Sequence, residues 1–167
     1  MRNIPFRIGH GYDVHALGPD LPLWLGGIRI QHTHGCIAHS DGDVAIHAIC
    51  DAMLGALALG DIGRHFPDSS DEFKDIDSKI LLRKVNDMIR HKGYCLANAD
   101  ITIAAQRPKL AGHIDRMREI LSGILDVDIS QISIKATTTE RLGFVGREEG
   151  IEVWASVLLA QIQEKAE

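Results

Sequence analysis

Apolar positions along this chain recur in two periods, and each period marks an element. Val44, Ile46, Ile49, Met53, Leu54 and Leu57 make a wide stripe at helical spacing, and Ser40 with Asp43 three residues on resembles a capping box, predicting a helix over residues 41–59. Ile80, Leu81, Val85, Met88 and Ile89 predict a second helix over 78–92, ended by Gly93 with Arg90 and Lys92 in its last turn. Ile114, Met117, Ile120, Leu121 and Ile124 predict a third over 113–125. Strands are expected at 6–16, 99–106, 132–138 and 151–162, and LWLGGIRI at 23–30 reads as a hairpin turning on Gly26 and Gly27. Pro67 bars a regular helix from 60–73, a loop rich in Gly, Asp and Ser whose length often carries function. Strands grouped around three helices predict one α+β domain over 1–167, a mixed β-sheet with about three helices packed on one face, fraying after residue 163.

Composition narrows the class. The 18 basic and 23 acidic side chains leave a formal net charge of −5 among 45% hydrophobic residues, the balance of a soluble globular protein. Apolar runs at 52–59 and 153–162 fall short of the roughly 20 residues that cross a bilayer, so no membrane partner is expected. The opening MRNIPFRIGHG has neither an apolar secretory core nor an Arg- and Ser-rich presequence, so a bacterial cytoplasm is expected. Cys36, Cys50 and Cys95 are odd in number and form no C-x-x-C pair, so they read as small buried hydrophobes. With no Lys/Arg block, a nucleic-acid partner is not expected either. A chain this long buries about 70% of the surface its unfolded form exposes, so a metal is not needed merely to hold its core. Any metal site would be functional.

Six of the nine histidines, His10, His15, His32, His34, His39 and His47, lie in the first 47 residues. Asp13 and His15, two apart on a predicted strand, point to one face and could share a metal; a strand-end Asp beside a hydrogen-bonded His is the plainer reading. Asp43, His47 and Asp51 follow at i, i+4 and i+8 on one helix side, where Asp43 or Asp51 could accept the second ring N–H of a ligating His47. A polar helix face explains them equally. Asp13, His15 and His47 together have the donors of a zinc site. In KATTTERLGFVGREEG, three Thr hydroxyls, Glu140, two arginines and three glycines suit a diphosphate, with Glu140 able to hold a hard divalent cation; the alternative is a polar hairpin loop. Lys109 in QRPKL adds a basic loop that could meet a nucleotide, or is a solvated turn.

The segments GHGYDVHALG, AHSDGDVAIHAICDAMLGALALGDIGRHFPD, AQRPK and KATTTERLGFVGREEGI, in order across nearly the whole chain, resemble the 2-C-methyl-D-erythritol 2,4-cyclodiphosphate synthase family. The resemblance implies a lyase of non-mevalonate isoprenoid biosynthesis. In this family the 2-phosphate of 4-diphosphocytidyl-2-C-methyl-D-erythritol 2-phosphate attacks the β-phosphorus, giving the cyclic diphosphate and CMP. Carried over residue by residue, it implies zinc on Asp13, His15 and His47 and magnesium or manganese on Glu140. His39 and Thr138 would stabilise the transition state, with Val14 and Ser40 beside the substrate. Asp61, Ile62, Gly63, Phe66, Pro67 and Asp68 would hold the methylerythritol, Asp61 and Asp68 accepting from its hydroxyls. Ala105, Gln106, Arg107, Pro108, Lys109, Leu110 and Ala111 would form the cytidine loop, completed by Thr137, Thr138, Thr139, Phe144 and Arg147. The family is a homotrimer with sites between subunits, the sheets meeting at its centre, and some members hold an isoprenoid diphosphate on the axis. Arg107 and Trp154 depart from the pattern, Trp154 replacing an acidic side chain of some relatives. Two rivals stay open: a zinc phosphohydrolase using the same triad to activate water, and a nucleotide- or phosphoisoprenoid-binding module whose zinc only braces the fold.

Overall fold

Strand alternation in the first element sets up the molecule. In β1 (Phe6–Pro19) Gly9, Gly11, Asp13 and His15 turn toward a helical layer, while Phe6, Ile8, Tyr12 and Val14 stay exposed on the opposite face. The computed structural model describes residues 4–67 and 69–163. After β1 come β2 (Leu23–Leu25), β3 (Ile28–Ile30), β4 (His34–Cys36), α1 (Val44–Ala56), the helical turn α2 (Ile62–His65) and α3 (Ser78–His91). They are followed by β5 (Tyr94–Ala104), α4 (Ile114–Leu125), β6 (Ile132–Thr137), the helical turn α5 (Gly143–Gly146) and β7 (Gly150–Gln161). The main sheet has the order β4-β1-β7-β5-β6, antiparallel except between β5 and β6, and β2 and β3 pair separately as a hairpin. This is the mixed sheet of an α+β fold.

One core joins the layers. Ile101, Ile103, Val153 and Ala155 from the sheet share it with Ile46, Ile49 and Met53 of α1, Leu82, Val85 and Ile89 of α3, and Met117 and Leu121 of α4. Each large aliphatic side chain buried there contributes about 1.5–3 kcal/mol. Since β1 and β5 are both antiparallel to β7, their C-terminal ends lie at one edge: Val153 pairs with Asp13 on one side and Ile103 on the other. Parallel β6 ends at that edge too. Among the described residues no helix is long and apolar enough to cross a membrane.

Several expected boundaries move. The first helix begins at Val44, and its cap is Asp43, whose carboxylate accepts from Ile46 N–H; Ser40 Oγ instead accepts from Gly42 N–H. β1 runs to Pro19 because β4 pairs with its last three residues, and β5 starts at Tyr94 with an irregularity between Leu96 and Asn98. The 60–73 loop holds α2 and a 3-10 turn at Asp71–Phe73. Cys36 and Cys50 are buried as expected, whereas Cys95 is only partly so.

Asp43 does more than cap. Fully buried, it accepts from Gly26 N–H at 2.9 Å, Gly27 N–H at 2.6 Å and Ile46 N–H at 3.1 Å, pinning the β2–β3 turn to the start of α1. Asp43→Ala strands three buried donors, each costing about 1–3 kcal/mol, so urea unfolding should show a loss of about 3 kcal/mol. A loss below about 1 kcal/mol would mean that the turn has other acceptors.

Candidate metal and phosphate site

The helix-facing side of β1 presents Asp13 and His15, and α1 lays His47 across from them. Asp13 Oδ2 is 3.1 Å from Nδ1 of His15 and 3.1 Å from Nδ1 of His47, and the two rings lie 5.2 Å apart between centroids. One donor atom from each residue falls within 4.8 Å of the others. Ligands about 2.0–2.2 Å from a tetrahedral zinc are themselves a little over 3 Å apart, so the spacing suits one ion. His15 supplies the sharper test. Its Nδ1 is buried and, despite the nearby carboxylate, makes no hydrogen bond. A buried ring nitrogen without a hydrogen bond, beside a carboxylate and a second imidazole, fits a cation.

The electrostatics agree. Burial raises the Asp13 carboxyl, but the imidazoles of His15 and His47 overcome it and hold the acid at about 2, so an anion faces both rings. For His47, burial works against the imidazolium and Asp13 for it, and Asp13 prevails, raising the pKa.

The carboxylates expected to support His47 are engaged elsewhere. Asp43 faces the hairpin turn, and Asp51 accepts from Ile62 N–H at 2.7 Å, tying α2 to α1. The second nitrogen of His47, Nε2, meets hydroxyls instead: Ser78 Oγ at 2.9 Å and Ser40 Oγ at 3.3 Å. Ser78 Oγ donates to Asp41 Oδ1 at 2.5 Å. Sequence reasoning missed Ser78 and Asp41, because a serine opening a helix and an aspartate in a turn look like ordinary capping residues.

A cavity of about 360 Å³ opens over the triad and gathers Asp13, Val14, His15, His39, Ser40, His47, Ile62, Gly63 and Phe66. Val14 alternates to the other sheet face, so its backbone is what borders this space. His39 Nε2–H donates to the Ser70 carbonyl at 3.4 Å. Asp61 caps α2 by accepting from Arg64 N–H at 2.9 Å and is exposed beside the cavity, as is Pro67; Asp68 lies outside the described residues.

A second cavity, about 490 Å³, sits where β5 and β6 end. It collects Ala105, Gln106, Pro108, Lys109, Leu110, Ala111, Thr137 and Thr138. Its two loops are tied by Ala105 N–H donating to Thr137 O at 3.0 Å and Arg141 N–H to Gln106 Oε1 at 3.2 Å. Thr138 Oγ1 donates to Glu140 Oε1 at 2.7 Å, and Thr139 Oγ1 to Leu142 O at 2.7 Å. Arg107 is exposed and does not line this cavity, Phe144 leans on Gly150, and Arg147 is exposed and forks onto Glu149 at 2.9 Å. A single chain therefore keeps the Asp13, His15 and His47 cluster and the Thr137–Lys109 pocket in two cavities at the same sheet edge.

The sequence model of the YgbB family matches residues 6–160. The chain belongs to the YgbB family. Among its YgbB-family relatives, a Parabacteroides distasonis protein named 2-C-methyl-D-erythritol 2,4-cyclodiphosphate synthase is 59% identical over 156 residues, 93% of this chain and 97% of that protein. A Porphyromonas gingivalis protein of the same name is 58% identical over 155 residues, 93% of this chain and 96% of that one. Of solved structures, bifunctional IspDF from Campylobacter jejuni superposes with a TM-score of 0.91 at 46% identity, covering 95% of this chain but 43% of that larger one. A Plasmodium falciparum IspF, solved as a CDP complex, gives 0.85 at 37% identity, covering 97% of this chain and 100% of that one.

Proposed function

We propose that this YgbB-family chain is a 2-C-methyl-D-erythritol 2,4-cyclodiphosphate synthase. The observation that carries the reading is the buried His15 Nδ1, without a hydrogen bond, facing Asp13 and His47 beneath an open cavity. In the reaction a 2-phosphate oxygen forms a bond to the β-phosphorus while the β-phosphorus to bridging-oxygen bond breaks. CMP departs with that electron pair. The nucleophile is already an anion, so the task is positioning and charge neutralisation rather than proton removal.

Asp13, His15 and His47 would hold zinc and Glu140 magnesium or manganese; bound there, the cations supply Lewis-acid neutralisation of the phosphates. His39 and Thr138 would donate hydrogen bonds to phosphoryl oxygens as charge develops, with Ser40 alongside. Asp61, Gly63 and Phe66 would border the methylerythritol and Asp68 would accept from it. Lys109 and the backbone of residues 105–111 would hold the cytidyl phosphates, a reading supported by the CDP bound to the Plasmodium falciparum relative.

A homotrimer would complete the site. Two features support it: separate cavities within one chain, and the helix-free sheet face where Phe6, Ile8, Tyr12 and Val14 are 42–79% exposed. The test is phosphorus NMR of the protein with the cytidyl diphosphate substrate and magnesium, with and without a zinc chelator. CMP and a cyclic diphosphate, both lost on chelation, are expected. Linear phosphates would establish the hydrolase instead, and no turnover by folded, zinc-loaded protein would favour a binding module.

A further inference from the structure

His47 offers the metal triad its Nδ1, since that atom faces Asp13 Oδ2. A neutral imidazole that ligates through Nδ1 must carry its proton on Nε2. What meets Nε2 therefore decides whether His47 is a ligand. Ser78 Oγ lies 2.9 Å away, fully buried in the first turn of α3, and its one proton is committed: Oγ donates to Asp41 Oδ1 at 2.5 Å while Ser78 N–H donates to Asp41 Oδ2 at 3.0 Å. An ionised carboxylate only accepts. With its proton turned to Asp41, Ser78 Oγ presents a lone pair to His47, and Nε2 has to donate. Ser40 Oγ, 3.3 Å from Nε2, takes Gly42 N–H and offers no comparable constraint.

We propose that Asp41, acting through the Ser78 hydroxyl, holds His47 in the tautomer that binds metal. Both are positioning residues, and the inference rests on the triad being a metal site. The plain alternative is that Asp41 merely ties the start of α3 to the loop before α1 through the Ser78 N–H. The two roles use different Ser78 atoms, so they separate.

In Asp41→Asn the amide oxygen can still accept from Ser78 N–H, but the NH2 then faces Ser78 Oγ and donates to it, and the 3.2 Å bond that Asp41 Oδ1 accepts from Asp43 N–H is lost with the change. The serine proton swings toward His47 Nε2 and favours the proton on Nδ1, where it blocks ligation. Loss of such outer support typically weakens metal binding about 10–100-fold. Zinc affinity of the full-length protein, measured by chelator competition, should fall by that factor in Asp41→Asn and in Ser78→Ala. The Asp41→Asn, Ser78→Ala double variant should bind no more weakly than Ser78→Ala alone. A purely structural tether through Ser78 N–H survives in Ser78→Ala, and would make the losses additive. Wild-type affinity in Ser78→Ala, which removes one oxygen and is the variant least able to disturb folding, would overturn the relay by itself. Additive losses would also overturn it. Absence of zinc binding by the wild type would overturn the metal reading along with it, whereas a wild type that binds zinc and loses it in His47→Ala leaves that reading intact whatever the relay variants do.

Discussion

Gly11→Ala is expected to destabilise the protein by more than about 4 kcal/mol, the range reserved for named steric failures. A Cβ at Gly11 would lie 2.0 Å from Ala48 O and 2.7 Å from Ala52 N; at Gly9 it would lie 1.8 Å from Ala52 O. These are backbone atoms of α1, not ends of flexible side chains, so no rotamer change relieves the overlap. The helix itself would have to lift off β1 by more than an ångström. Ordinary overpacking costs about 1–3 kcal/mol, and here it would also open the core that α1 shares with the sheet. The lift acts on the site as well, because His47 adjoins Ala48 and its reach to Asp13 depends on the same close approach. Urea unfolding should show either no cooperative transition or a sharply lowered midpoint, with zinc affinity falling in parallel. A near-wild-type midpoint would show that α1 can slide on β1 without loss of packing.

This close approach also shows how far the sequence could be read. Small residues on both sides, Gly-His-Gly on the strand and Ala48 with Ala52 on the helix, are its signature, but spacing alone does not say which strand a helix meets. The helices α3 and α4 emerge within a residue of their expected limits because each buries one stripe and wets the rest. α1 is buried on nearly every side, so its periodicity says little about where it starts, and the start is set by a contact with a distant hairpin turn. Asp13 and His15 were legible as a pair because strand alternation fixes their common face. The partners of His47 were not. Helical spacing placed Asp43 and Asp51 near it, yet both carboxylates serve backbone N–H groups brought by other elements, while Ser78 reaches it from a helix 31 residues further on. The family resemblance reached the substrate class through whole motifs, where individual residues left a metal site and a plain polar face equally open.

His47→Ala should abolish turnover while leaving the chain folded. Three protein ligands with a fourth position open to substrate is the least that a catalytic zinc usually keeps, and Asp13 with His15 alone would fall below it. Zinc should be lost on dialysis, and turnover should drop by more than about 1,000-fold, beyond the 10²–10³ typical of removing a single charge-stabilising donor. Folding should survive: the His47 ring borders the cavity instead of filling the core, and Asp13 keeps His15 beside it. His39→Ala is the informative companion, since His39 lines the same cavity without joining the triad. It should retain zinc and lose about 100-fold in turnover. Metal analysis, phosphorus NMR and circular dichroism on both variants separate holding the ion from stabilising the transition state. Full turnover by zinc-free His47→Ala would remove the metal from the mechanism, and loss of zinc from His39→Ala would move His39 from the transition state to the ligand shell.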